Sequence, residues 1–215
     1  VLPIILVSVI SNTCYLNSLH GDFAYDDGAA ISKNKDVIGN LSWKDNLRDI
    51  FVHDFWGQDL QNETSHKSYR PLATLSFRLN FVFNGNTTFY YHLVNLLLHG
   101  LVSFLVGVLC LVVLSSEQST SSNAHYITHA ACWGSVLFAT HPVHTEAVSN
   151  IVSRAELLCA AFYLTSYLAY RHAAAARSAA RGALFFAASL ACYAGAVLSK
   201  ETGLTLLALL LYHDL

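Results

Sequence analysis

From Tyr91 to Leu114 the chain carries no Asp, Glu, Lys or Arg. That length suffices for a bilayer crossing, which takes about 20 apolar residues as a helix. A backbone in lipid must satisfy its own hydrogen bonds, so the stretch dictates a helical fold class. Leu2 to Leu16, Ala147 to Ala169 and Ala183 to Leu198 are of similar character, and Tyr126 to Thr140 and Thr202 to Leu215 are shorter apolar runs. With 54% hydrophobic and 12% charged residues over 215 positions, a water-soluble domain is excluded. The expected architecture is all-α, a polytopic membrane helix bundle over residues 1–215. The first apolar run reads as an anchor rather than a signal peptide, because it has no basic leader and no small-residue cleavage site before Asn17 to Gly21. The chain starts at Val1, contains no Met and stops at Leu215 inside an apolar run, which reads as part of a longer polypeptide.

Most of the polar chemistry lies in one loop, about residues 18–90, which holds 7 of the 12 basic and 9 of the 14 acidic residues. Its three N-x-S/T sequons, at Asn40, Asn62 and Asn86, are the only ones in the chain and argue that the loop faces a glycosylating lumen. Arg171, Arg177 and Arg181 cluster in the connection between the fourth and fifth apolar segments, which the positive-inside rule assigns to the cytosol. Both signals place the turns His141 to Glu146 and Ser199 to Glu201 on the same side as the large loop. Within the loop, Ser42 and Asp45 form a capping-box pattern ahead of Trp43, Leu47, Ile50 and Phe51, and Pro71 opens a second helical pattern. In the latter, Arg70, Thr74 and Arg78 share one stripe and Leu75, Leu79 and Val82 the other. Both helices are expected on the headgroups. Ser115 to Asn123 reads as a connector and Ala173 to Ala180 as a helical extension.

Charge and cysteine usage narrow the partners. A net charge of −2 leaves no basic face for nucleic acid. Cys14, Cys110, Cys132, Cys159 and Cys192 sit in apolar stretches with no C-x-x-C pair, so they read as buried apolar side chains rather than metal ligands or disulfides.

Ionisable residues at membrane depth are costly and are candidates for function. Glu146, Asn150 and Arg154 recur at i, i+4 and i+8, as one stripe descending a helix, with Glu156 on the neighbouring face. The alternative is an internal ion pair that locks the bundle. Asp26 and Asp27 follow the first anchor, and either is suited to take a proton from an attacking hydroxyl; a helix N-cap or a surface calcium ligand is the structural alternative. His141, His144 and Glu146 form a histidine-rich turn, but H-x-x-H lacks the i, i+4 spacing of a helical zinc site and Pro142 favours a turn. His92, Asn95 and His99 share a helix face and read as interhelical packing. Lys200 suits neutralisation of a phosphate, with Arg70, Arg78 or Arg154 gripping it bidentately, or simple snorkelling to the headgroups.

In order, the acidic pair, Ser65 to Leu72, Tyr91 to Asn95, His141 to Glu146 with Ser149 to Glu156, and Ser199 to Glu201 closely resemble the transmembrane and tetratricopeptide-repeat O-mannosyltransferases over nearly the whole chain. The resemblance implies a GT-C fold in the endoplasmic reticulum membrane, with C-terminal tetratricopeptide repeats beyond this chain. It implies dolichyl phosphate mannose as donor, Ser or Thr hydroxyls of cadherin-type domains as acceptors, and membrane lipids as neighbours. The roles then expected are Asp26 or Asp27 as base, Lys200, Arg154 and Arg70 for the donor phosphate, and His141, His144, Glu146 and Glu201 to shape the site. No metal or other cofactor is required, because polyprenyl phosphate is a good leaving group once its charge is neutralised. Two other classes compete: a non-catalytic membrane module that binds partners, and a transporter, although no broken or inverted-repeat helices are evident.

Overall fold

The computed structural model describes residues 2–39, 43–117 and 124–214. Three of its helices are long and apolar enough to cross a membrane, covering Thr88–Ser115, Ile151–Ala174 and Ala179–Ser199. The first lies within α5 (Thr88–Glu117), the second contains α8 (Arg154–Ala174), and the third is α9 (Ala179–Ser199). Shorter helices accompany them: α1 (Leu2–Thr13) and α6 (Ala124–Thr140) against α5, α7 (His144–Ser149) leading into the open end of the α8–α9 hairpin, and α10 (Leu206–Asp214) leaving that end and returning along α8. The large loop contributes α2 (Lys35–Ile38), α3 (Trp43–Val52) and α4 (Pro71–Asn84). Among the described residues there is no β-strand, only an isolated bridge between His53 and Asp59. The chain is an all-α membrane protein.

In lipid, apolar surface alone does not drive helices together, and close approach and polar ties take over. A Cβ on Gly107 would sit 2.4 Å from the Ile4 side chain, so the glycine lets α1 and α5 touch. Ser135 on α6 donates to the Ser103 carbonyl of α5 at 2.9 Å. Across the hairpin, Ser166 and Ser189 each donate to the other's carbonyl, at 2.8 and 2.9 Å.

The first loop forms a packed layer against the bundle. Ile31, Val37, Phe55, Phe77, Tyr91 and Ile151 belong to one buried cluster that joins the loop to the starts of α5 and α8. On α4 the polar stripe turns inward: Thr74 and Arg78 are buried, whereas Leu79, Val82 and Phe83 are exposed. Arg78 reaches across to the Val37 carbonyl at 2.6 Å, which explains the inversion. The capping residue proposed for α3, Ser42, and the sequon Asn40 lie outside the described residues. Asn62 and Asn86 are exposed.

Two further expectations are corrected. The helix expected from Ala147 is interrupted: α7 ends at Ser149, Asn150 is extended, Ile151–Ser153 form a 3₁₀ turn, and α8 starts at Arg154. Glu146, Asn150 and Arg154 are therefore not one helical stripe. The Ala-rich tract is not a continuous extension either, since α8 stops at Ala174 and α9 begins at Ala179. Part of the connector, residues 118–123, lies outside the described residues.

Candidate active site

The break between α7 and α8 frees backbone groups inside the protein, and buried polar groups need partners. Asp27 supplies one. Its Oδ1 accepts the Val152 N–H at 3.0 Å and its Oδ2 accepts the Ala24 N–H at 2.9 Å. The second bond closes the turn Ala24 to Asp27, whose other tie is the Asp27 N–H on the Ala24 carbonyl at 3.0 Å. Asp27 is only 2% exposed, and burial pushes its carboxyl above the usual range, partly offset by these two backbone donors. Asp26, one residue earlier, is exposed. The turn thus anchors one carboxylate and presents the other, with Tyr25 just before them in the left-handed region at φ 45° and its side chain fully open.

Asn95 supplies the second set of partners. Its Nδ2 lies 3.2 to 3.4 Å from the carbonyls of Val148, Asn150 and Ile151, and its Oδ1 accepts from Arg154 Nε at 2.8 Å. Arg154 has no exposed surface. Its Nη1 donates to Asn80 Oδ1 at 2.6 Å and Nη2 to the Tyr91 carbonyl at 2.9 Å, while the guanidinium lies 4.6 Å from the Phe77 ring centroid. A planar fork of five donors suits this cage of neutral acceptors. Glu146 is not its partner. The expected Glu146–Arg154 pair fails because the break turns exposed Glu146 away from the cage. Arg154 joins α4, α5 and α8, and its donors face inward rather than toward a substrate.

Two cations nearer the surface behave differently, each partly buried. Lys200 pairs with Glu156 in the first turn of α8, and Arg70 holds Glu201 through two bonds of 2.8 and 3.2 Å. The Arg70 pair holds the Glu201 carboxyl below its usual range. Arg70 is delivered by a loop wound around Asp54, whose carboxylate accepts Ser65 Oγ at 2.6 Å and the N–H groups of Trp56, Gln58 and His66 at 2.9 to 3.1 Å. Burial raises the Asp54 carboxyl, but these donors outweigh it and the net shift is downward. Asp54 was not visible as a site-builder in the sequence; the only signal was its setting among turn residues.

His141, His144 and Glu146 gather around a hollow of about 400 Å³ beside α8. His144, Glu146, Phe138, Glu156 and Ala160 are among its lining residues. His141 flanks it, its carbonyl accepting the Tyr15 hydroxyl at 2.7 Å. Burial, then the neighbouring His99 and His141, lower the pKa of His144. A second hollow of about 330 Å³ shares Val102, Phe138, Glu156 and Ala160 with the first and continues to Tyr163, Leu164 and Thr205. Together they form a groove with Glu156 where the two meet, His144 and Glu146 toward one end and Tyr163, Leu164 and Thr205 toward the other. Among the described residues no cluster of three metal-ligating side chains is present.

The mouse protein O-mannosyl-transferase TMTC4 is 40% identical over 220 residues, covering 98% of this chain. Human TMTC2 is 40% identical over 208 residues and fruit-fly Tmtc3 is 35% identical over 226, covering 96% and 100% of the chain. Over nearly its whole length the chain is similar to the TMTC proteins. It spans 29% of the mouse TMTC4 protein, 23% of human TMTC2 and 24% of fly Tmtc3. All three TMTC relatives carry the name protein O-mannosyl-transferase. No family model and no solved structure matches the chain.

Proposed function

We propose that the protein containing this chain transfers mannose from dolichyl phosphate mannose to Ser or Thr hydroxyls of secretory proteins, cadherin-type domains among them, in the lumen of the endoplasmic reticulum. The observation that carries the reading is the convergence at the start of α8 of an exposed carboxylate turn, two partly buried cations paired with half-exposed carboxylates, and an apolar groove. Asp27 fixes that turn to Val152, and Lys200 is tied to the same helix end through Glu156. The TMTC names of the relatives support the class of reaction.

Asp26 is the base. Asp27 already uses both oxygens on backbone donors and is buried, whereas Asp26 is open to a hydroxyl. The acceptor oxygen attacks the anomeric carbon of mannose and gives its proton to Asp26. The bond from that carbon to the phosphate oxygen breaks, and the electron pair leaves with polyprenyl phosphate. Lys200 and Arg70 neutralise the departing charge by exchanging their carboxylate partners, Glu156 and Glu201, for phosphate oxygens. The apolar groove along α8 takes the lipid chain, while His141, His144, Glu146 and Glu201 border the sugar. Arg154 acts from behind, by holding the helix break in shape.

With full-length protein, labelled donor and an acceptor domain, Asp26→Asn loses roughly 10²-fold to 10⁴-fold in transfer while still binding donor. Unimpaired transfer by Asp26→Asn would reject the assignment of the base, and no transfer by the wild-type protein with any Ser or Thr acceptor would favour a partner-binding module.

A further inference from the structure

At the start of α6, far from the polar face, His125 and His129 stand one helical turn apart, and their Nε2 atoms approach to 3.1 Å. The ring centroids are 4.2 Å apart and both rings are exposed. Two metal–nitrogen bonds of about 2.0–2.1 Å, at angles between square and tetrahedral, separate their nitrogens by about 2.9–3.4 Å. The observed gap falls in that interval without any movement of the helix. Cys132 continues the stripe three residues after His129, and the two line one hollow of about 290 Å³ with Thr128 and Trp133.

We propose that His125 and His129 form a two-histidine chelate for a borderline divalent transition-metal ion, Zn²⁺ being the physiological candidate. Imidazole nitrogens select Zn²⁺, Cu²⁺ and Ni²⁺ over Mg²⁺ or Ca²⁺, which demand oxygen ligands. The chelate closes one turn of α6, so the ion stabilises the first turn of that helix. His125 lies about 24 Å along α6 from His141, at 1.5 Å per residue, so the site is separate from mannosyl transfer. The remaining coordination positions face solvent and the Cys132 side of the hollow.

The test uses full-length protein purified with an affinity tag that contains no histidine. Zn²⁺ bound at equilibrium dialysis is counted in the wild type and in a His125→Ala/His129→Ala double variant. The site predicts one ion fewer per chain in the double variant, at least about a tenfold weaker affinity in each single variant, and no competition by excess Mg²⁺. Zn²⁺ should also raise the Tm of the wild type more than that of the variants. Equal zinc content in wild type and double variant, or displacement by Mg²⁺, overturns the proposal. Should the alanine variant fold poorly, His129→Asn preserves a polar side chain at an exposed position, and unaltered zinc content there is equally fatal.

Discussion

Arg154 and Lys200 sit at the two ends of one polar region, yet their surroundings are opposites. Arg154 is sealed among neutral acceptors from Asn80, Tyr91 and Asn95, with no carboxylate in contact among the described residues. Lys200 and its neighbour Arg70 lie near the surface, and each holds a carboxylate. A cation surrounded by fixed dipoles gains nothing by releasing them, so Arg154 is committed to shape. A cation whose partner is a single, half-exposed carboxylate can trade it for a phosphate at small cost, because exposed pairs contribute only about 0–1 kcal/mol. On the proposed reading, the contrast separates scaffold charge from phosphate-binding charge inside one site.

The largest effect should come from breaking the sealed side. Arg154→Met leaves Asn80 Oδ1 and Asn95 Oδ1 without their donor, and each stranded buried group costs about 1–3 kcal/mol. Thermal unfolding in detergent should show a loss of several kcal/mol, and a change below about 1 kcal/mol would mean that the cage relaxes and the contrast is false.

Asp27→Asn comes next. An amide retains one acceptor oxygen, so one of the Ala24 and Val152 N–H groups loses its bond, for about 1–3 kcal/mol. The pH dependence has a defined sign. The folded-state pKa of Asp27 is raised above 3.8, so its contribution is fully present below that value and is lost as pH rises through the raised pKa. Asp54 is lowered from 3.8, so its contribution is present above that value and is lost as pH falls through the lowered pKa. Stability measured against pH for Asp27→Asn and Asp54→Asn should therefore differ from the wild type on opposite sides of 3.8. The smallest effect belongs to the exchangeable side. Glu156→Gln frees Lys200, leaves Tm almost unchanged and tightens dolichyl phosphate binding; weaker binding would show that Glu156 itself serves the donor.

The bundle and the gathering of three polar segments were legible because hydropathy and charge placement report membrane crossings directly. The apolar runs from Tyr91 and Ala183 became α5 and α9 with only their ends displaced. The helix break at Asn150 was not legible, because Ser149 to Arg154 contains neither Gly nor Pro. What stabilises the break is distant in sequence: Asp27, 125 residues before Val152, and Asn95, 59 before Arg154. The α4 inversion was hidden for the same reason, since the direction of Arg78 is set by the Val37 carbonyl, 41 positions away. Periodicity locates a polar stripe and leaves open whether water or a buried acceptor satisfies it.

The central claim is that Lys200 and Arg70 hold the donor phosphate while Arg154 holds only the protein. Its most direct test is a titration of full-length protein in lipid nanodiscs with dolichyl phosphate, comparing wild type, Lys200→Met and Lys200→Met/Arg70→Met, with Tm measured on the same samples. The account predicts that the single variant binds about tenfold more weakly, the double variant more weakly still, and that Tm changes little, as expected for losing exposed pairs and a charge-assisted contact worth about 1.5–3 kcal/mol. Wild-type affinity in the well-folded double variant would contradict it.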